Sequence, residues 1–356
     1  MKKLTIITQR VDINDENLGF FHRWIEKFAE NLDEVCVICL RSGDCSLPLN
    51  VKVYSLGREK GVNKVFQFFR LQFYLLRNLL SSGGVFVHMS PVYAIFAFPL
   101  AALFRKKILM WYVHRSNNWA LNFAEKLVGK VYTASAESFS VKSHKVEVVG
   151  HGIDTKHFIP ARGDGNENEF RILYVGRIAP IKDLETLVAS MYVLVNDLGE
   201  KDARLEIVGT SVDSEEAEYF KKIQGIIEKK QMGGYVTFAG GARYAAMPER
   251  YKKGDVVVNL SPKGGMDKTV LEAMSCGIPV LCANETFKPL LSGAGIDLMF
   301  TYRDAQGLAE KLKELKAIGY ERRGEIGMQL REVVVTNHNL DNLVKKIMEY
   351  FYGVRA

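Results

Sequence analysis

Short runs rich in valine and isoleucine alternate with longer stretches of helical periodicity along almost the whole chain, which restricts the folds open to it. In the first half, candidate strands cover residues 4–8, 34–40, 51–55, 85–88, 107–113, 131–134 and 146–149, with helical patterns at 19–31, 63–80, 92–103 and 118–128. Apolar strands separated by helices read as βαβ units, so the strands are parallel and the sheet is covered on both faces. The pattern restarts with strands at 170–176, 204–208, 235–239, 255–259 and 279–282 and helices near 184–197, 214–231, 268–276 and 305–314. Between the halves, residues 160–169 are polar, contain glycine and lack apolar periodicity, as a linker or hinge would. At roughly 150 residues per domain, the 356-residue length also favours two domains. The expected organisation is an α/β domain over 1–160, a hinge over 161–169 and a second α/β domain over 170–340. A last amphipathic helix in the tail 341–356 suits either domain and would pack back on the first. Two doubly wound parallel sheets in tandem predict a ligand cleft between their facing carboxyl ends.

Charge and cysteine usage narrow the function. Lys and Arg number 48 and Asp and Glu 41, a net charge of +7. This mild excess suits an anionic small molecule or an anionic membrane surface and is too diffuse to indicate nucleic acid. The five cysteines lack the paired spacing of a zinc site, and no metal is expected. Cys36 and Cys39 form a C-x-x-C inside a strand-like run, where residues three apart face opposite ways, so a redox role is not expected. The opening residues are basic but too short in apolar run for a signal peptide. The apolar stretch 92–104 is interrupted by Pro99 and falls short of the ~20 residues that span a bilayer. A cytoplasmic protein is expected.

Two segments of the second half carry the chemistry. In the first, a strand ends at Gly176 and is followed by Arg177 and, five residues later, Lys182 before a helix. Glycine permits a ligand close to the backbone, and two cations at a strand's carboxyl end can neutralise a diphosphate. The spacing alone also suits a solvated strand–helix loop. In the second, a strand enters the loop Gly264-Gly265-Met266-Asp267, and a helix begins near Lys268, Thr269 and Val270. Free amides at that helix start form an anion site. Glu272, one turn inside, can accept from two vicinal hydroxyls such as those of a ribose, although a lone helical Glu is commonly a solvated surface residue.

Together these segments resemble the donor-binding half of glycosyltransferase family four, the group 1 glycosyltransferases. Gly176-Arg177 and Lys182 stand where the family has its Gly-Arg and downstream Lys, and the run from Leu271-Glu272-Ala273-Met274 to Gly277-Ile278-Pro279-Val280 matches its second signature. Gly150-His151-Gly152-Ile153-Asp154 with Phe158 is similar to the family's stretch before the domain crossover. The resemblance implies the GT-B fold, two facing Rossmann-like domains around a cleft. It departs from the family at one point. Counting back eight residues from Glu272 reaches Gly264, where the family has a first glutamate placed near the donor sugar. That role would pass to the amides of residues 264–267, to Asp267 or to Lys268. By the same resemblance, His114 takes the place of the family's active-site histidine beside the transferred sugar; a strand-end histidine capping a turn is the plainer alternative. The loop after the first strand should face the same cleft, where Gly19 would permit close approach to the donor or acceptor, and His22 and Arg23 suit either contact with an acceptor or a solvated helix start.

The resemblance thus implies a retaining, metal-independent transferase needing no cofactor, which moves a sugar from a nucleoside-diphosphate sugar to a hydroxyl acceptor. The acceptor would be a glycan or a lipid-linked molecule in cell-surface polysaccharide or glycolipid assembly. Alternatives are a nucleotide-sugar epimerase of the same fold and a nucleotide-sugar-binding protein without transfer activity. The helical pattern 63–80, aromatic-rich with Lys64, Arg70 and Arg77, suits either a helix covering the sheet or a peripheral contact with the inner face of the cytoplasmic membrane.

Overall fold

The computed structural model describes residues 1–15, 17–160, 168–262 and 264–353. Most of the expected hinge, residues 161–167, lies outside the described residues. The chain divides into two compact units, Met1–Asp154 with His338–Ala356, and Thr155–Asn337.

The first unit is built on a seven-stranded sheet. Its strands are β1 (Lys3–Val11), β2 (Glu34–Ser42), β3 (Val51–Ser55), β4 (Gly84–His88), β5 (Lys107–Trp111), β6 (Lys130–Thr133) and β7 (Val146–Val148). They pair in the order β3-β2-β1-β4-β5-β6-β7, all parallel. The connections include α1 (Gly19–Ala29), α2 (Lys64–Leu79), α3 (Pro91–Leu103) and α4 (Trp119–Leu127). Asparagines start two of them: Asn63 accepts from the Phe66 amide at α2 and Asn118 from the Leu121 amide at α4. One face of the sheet packs against α1; α2, α3 and α4 cover the other. Cys39 belongs to the first of these cores and Cys36 to the second, and burial pushes both thiols up to about 12. Both are free, packed as small apolar side chains on opposite faces.

The second unit has a five-stranded sheet of β8 (Phe170–Val175), β9 (Ala203–Val208), β10 (Val236–Gly240), β11 (Val256–Asn259) and β12 (Val280–Cys282). Its order is β10-β9-β8-β11-β12, again parallel. Around it run α5 (Leu184–Tyr192), α6 (Ser214–Lys229), α7 (Met247–Tyr251), α8 (Lys268–Ser275), α9 (Lys288–Leu291), α10 (Ala305–Ala317) and α11 (Gly319–Asn337). The helix expected over 184–197 is α5 continued by a π turn, Val193–Asp197. Sequence reasoning missed α11, because its three glycines and the Val333-Val334-Val335 run oppose helix propensity. Packing overrides that preference: a Cβ on Gly327 would fall 1.7 Å from the Gly277 carbonyl oxygen, so only glycine lets α11 lie against the end of α8. Arg331 of α11 also donates to the carbonyls of Thr155 and Phe158, anchoring the start of the unit's chain.

The chain finishes in the first unit as α12 (Leu340–Tyr352), which buries Leu343, Val344, Ile347 and Phe351 on the α1 side of the sheet. The segment 150–154 holds it there. Ile153 donates to the His338 carbonyl at 2.6 Å and accepts from the Leu340 amide at 2.8 Å. His151 donates its amide to His338 Nδ1 at 3.1 Å, the Trp24 indole donates to the Gly152 carbonyl, and Asp154 pairs with Arg23 at 2.6 Å. The Gly-His-Gly-Ile-Asp run is thus a structural clasp within this unit.

Candidate functional site

A doubly wound sheet opens at its carboxyl end where the strand order reverses, because the connections on either side leave in opposite directions. In the second unit that point lies between β8 and β11. The two segments singled out by sequence are the loops that follow these two strands.

The loop after β8 begins at Gly176. Its carbonyl is so close to Gly209, at the end of β9, that a Cβ on Gly209 would lie 1.8 Å away. Arg177 is half-exposed and pairs with the buried Glu216 at 2.8 Å. The turn Pro180–Lys182 leads through Asp183, at φ +50°, into α5. Lys182 Nζ donates to both Asp267 carboxylate oxygens at 3.0 Å and to Ser261 Oγ at 2.8 Å, tying the β8 loop to the β11 loop.

Asp267 is the hub of this network. Beyond Lys182, its carboxylate accepts from Asn259 Nδ2 at 2.7 Å and Ser261 Oγ at 2.5 Å. Burial works to raise its pKa, but the Lys182 charge and the bonds from Ser261, Asn259 and Lys182 outweigh it and hold the carboxyl below its usual range. Asp267 is therefore ionised at neutral pH, with about a quarter of its side chain exposed. Gly264 and Gly265 are pinned through their carbonyls, which accept from Thr286 Oγ1 at 2.8 Å and Asn284 Nδ2 at 3.2 Å. A Cβ on Gly264 would meet nothing closer than the Pro262 carbonyl at 3.7 Å, so the glycine there is not sterically required. Met266 is half-buried beside it.

Helix α8 starts one residue later. Asp267 occupies its N-cap position without making a side-chain cap, and the first-turn amides of the helix point toward the carboxyl end of the sheet. Glu272 is buried and accepts from Tyr251 Oη at 3.1 Å. It is not the solvated surface residue that a lone helical Glu often is. Burial pushes Glu272 up to about 7 and Lys268 down to about 7, each opposed by the other's charge one turn away. The second unit therefore brings Gly176, Arg177, Lys182 and residues 264–270 and 272 to one end of its sheet. The motif did not single out Glu216, Ser261 and Asn259, which set the charge state and direction of these groups; no spacing rule marks them.

Gly19 and His114 belong to the first unit. Gly19 is buried at the first position of α1 and its amide donates to the Asp15 carbonyl at 2.9 Å. The switch point of this sheet, between β1 and β4, is closed by side chains: His88 lies stacked on Phe21 at 3.9 Å, accompanied by Phe20 and Trp24, and bonds Thr8 Oγ1 at 3.1 Å. β5 ends at Trp111 rather than 113, as the chain leaves the ladder and the Val113 amide turns to Met89 Sδ. His114 follows in an isolated bridge with Phe139 and is exposed. The Ser116 amide donates to His114 Nδ1 at 3.0 Å, so the neutral ring carries its proton on Nε2 and presents a donor there. Arg23 and His22, once candidates for acceptor contact, are engaged within the unit, Arg23 with Asp154 and Glu26 and His22 with Glu26. Among the described residues no cluster of His, Cys, Asp or Glu is arranged to hold a metal ion.

Residues 169–317 match the family described as Glycosyl transferases group 1. Among curated relatives, the GDP-mannose-dependent alpha-mannosyltransferase of Mycolicibacterium smegmatis is 29% identical over 152 residues, 40% of this chain and 36% of that protein. The mannosylfructose-phosphate synthase of Agrobacterium fabrum is 23% identical over 154 residues, 41% of this chain and 34% of that protein. The matched segment spans little more than a third of these relatives. Among solved structures, Anabaena HepE in complex with UDP superposes with a TM-score of 0.79 at 15% identity, covering 99% of this chain and 100% of that one. Sucrose-phosphate synthase from Thermosynechococcus elongatus gives 0.78 at 18% identity, with 99% of each chain covered. At such identities the likeness establishes the fold: two parallel-sheet α/β units, as in GT-B glycosyltransferase structures.

Proposed function

Given a Glycosyl transferases group 1 domain at residues 169–317, we propose that the protein transfers a sugar from a nucleoside-diphosphate sugar to a hydroxyl acceptor, with retention of configuration and without a metal ion. The observation that carries this reading is the convergence of Lys182, the start of α8 and the buried Glu272 at the β8/β11 switch point. The family assignment of the segment and the UDP bound by the structural neighbour HepE support it.

In this reading Gly176 admits the diphosphate close to the backbone, and Lys182 and Arg177 neutralise the charge that develops on the departing phosphate. Preorganised cations of this kind commonly contribute a hundredfold or more to the rate. Arg177 does so while releasing or sharing Glu216. The first-turn amides of α8 at Lys268, Thr269 and Val270 take the phosphate oxygens, and Glu272 accepts from the ribose hydroxyls. Gly264, Gly265 and Met266 border the donor. Asp267, already ionised and fixed by Lys182, Ser261 and Asn259, does the work of the glutamate missing at 264 and accepts from sugar hydroxyls. His114 donates to another sugar hydroxyl through Nε2. The acceptor oxygen bonds to the anomeric carbon as the bond to the phosphate breaks, and the leaving phosphate oxygen takes the acceptor's proton on the same face.

A panel of nucleotide sugars in a thermal-shift assay, followed by turnover with EDTA present, tests the reading. Stabilisation by one donor and metal-free turnover are expected; no stabilisation by any donor contradicts it. Asp267→Asn separates binding from transfer, because it should keep affinity for the free nucleotide while losing turnover of the sugar donor. A second reading, a nucleotide-sugar-binding protein without transfer, is favoured by Gly264 alone, and donor binding without turnover by any acceptor would establish it. The proposed acceptor is a glycan or lipid-linked hydroxyl in surface polysaccharide or glycolipid assembly at the inner face of the cytoplasmic membrane. An exposed aromatic surface on the first unit supports that placement.

A further inference from the structure

Residues 60–124 contain eight Lys and Arg and no Asp or Glu, in a chain that has 48 and 41 of them. The remaining sequence is nearly balanced, so this one stretch accounts for the whole excess of +7. It folds into α2, α3 and the first part of α4, helices that bury their inner faces in a single core against the sheet of the first unit.

The outer faces are unusual. On α2, Leu71, Leu75 and Leu79 point into that core. A second apolar stripe, Phe66, Phe69, Phe73, Leu76 and Leu80, repeats at intervals of three and four residues, each side chain more than half exposed. At 3.6 residues per turn the two stripes lie on opposite sides of the helix. Helix α3 has no charged residue and exposes Val92, Phe96 and Leu103. The Phe96 ring meets Phe68 edge-on at 5.1 Å, joining α3 to α2. On α4, packed beside α3, Trp119 is 74% exposed and Phe123 follows one turn later. Scattered exposed apolar residues are normal; aligned stripes on neighbouring helices are a binding surface.

We propose that the outer face of α2, α3 and α4 docks on an anionic lipid bilayer, its aromatic stripe lying in the headgroup–acyl boundary. Charge selects this occupant. Lys64 and Arg77 on α2 and Arg105 and Lys106 after α3 are available to anionic headgroups, with no carboxylate in the stretch to oppose them. A second copy would instead set this strongly basic surface against itself, since the one carboxylate on the three helices, Glu125 of α4, already accepts from Ser143. Tryptophan and phenylalanine suit the interface, where one side is apolar and the other wet. Among the described residues no helix is long and apolar enough to cross a membrane, so the attachment is peripheral. The proposal concerns the first unit alone and is independent of nucleotide binding by the second.

Co-sedimentation of the full chain with vesicles tests it, using phosphatidylcholine containing phosphatidylglycerol against phosphatidylcholine alone. Binding to the anionic vesicles only, weakening as salt rises, is expected. Lys64→Gln and Arg77→Gln should each reduce it about fivefold, and the double variant Phe69→Glu/Phe73→Glu should abolish it. Both phenylalanines point away from the core, so the double variant's unfolding midpoint should match the parent's, which separates lost docking from lost folding. Equal binding by parent and double variant, or no binding of the parent to anionic vesicles, overturns the proposal. Concentration-dependent dimerisation of the parent that the double variant abolishes, without vesicle binding, would make the face an interface between copies and overturn it equally.

Discussion

The two units share one plan, a parallel sheet whose strand order reverses at a single point, and they fill that point with opposite chemistry. Between β1 and β4 the first unit stacks His88 on Phe21 beside Trp24, and the buried segment 150–154 clasps α12 nearby. Between β8 and β11 the second unit gathers Lys182 paired with Asp267, Arg177 paired with Glu216, and the start of α8, with Arg177 half-exposed and Lys182 and Asp267 partly so. A switch point is therefore only an opportunity for a site. The residues that follow the two strands decide whether it becomes core or chemistry.

The comparison predicts that substitutions at the two points fail differently. Phe21→Ala should cost about 4 kcal/mol of stability through the cavity it leaves, read as a lowered denaturant midpoint, while the protein that remains folded keeps its nucleotide affinity. Lys182→Ala should do the reverse, lowering kcat/KM a hundredfold or more, about 3 kcal/mol, with little change in midpoint. If Phe21→Ala altered nucleotide affinity or Lys182→Ala unfolded the chain, the contrast would be broken.

A pH titration sharpens the contrast further. His338, which caps the clasp of the first unit, is held by burial down to about 4 from a usual 6.5. Its folded value is depressed, so the stabilisation it supports is complete above 6.5 and is lost as pH falls toward 4, by about 3 kcal/mol. Urea unfolding at a series of pH values should register this loss, and His338→Gln should flatten it. The smallest effect is expected at Gly264. With only an ordinary contact to the Pro262 carbonyl at its Cβ, Gly264→Glu should move the stability by no more than about 0.5 kcal/mol; a large loss would mean the loop is tighter than its contacts indicate.

Every strand and most of the helices were legible in the sequence, because βαβ alternation is written in local periodicity. Three helices were not, the short α7 and α9 and the long α11; α11 depends on one long-range contact, Gly327 against the Gly277 carbonyl, which no window of α11 alone records. At the site, Lys182, Asp267 and Glu272 were legible through spacing and resemblance. Their electrostatic state was not: Asp267 is ionised because Asn259, Ser261 and Lys182 surround it, and Glu272 is raised because burial outweighs the Lys268 charge and the Tyr251 bond, both of which favour its ionised form. Those relations appear only when β8 and β11 lie side by side. In the first unit the sequence left Arg23 and His22 open as acceptor contacts, since the ion pair of Arg23 with Asp154 and the contact of His22 with Glu26 leave no mark in composition.

Isothermal calorimetry of the full chain with UDP and with GDP, run in parallel on Lys182→Ala, addresses the switch-point site most directly. Saturable binding of at least one nucleotide by the parent, weakened tenfold or more in the variant while its unfolding midpoint is unchanged, is the predicted result. Equal affinity in parent and variant, or heat from neither nucleotide with the parent, would contradict a diphosphate site at the carboxyl ends of β8 and β11.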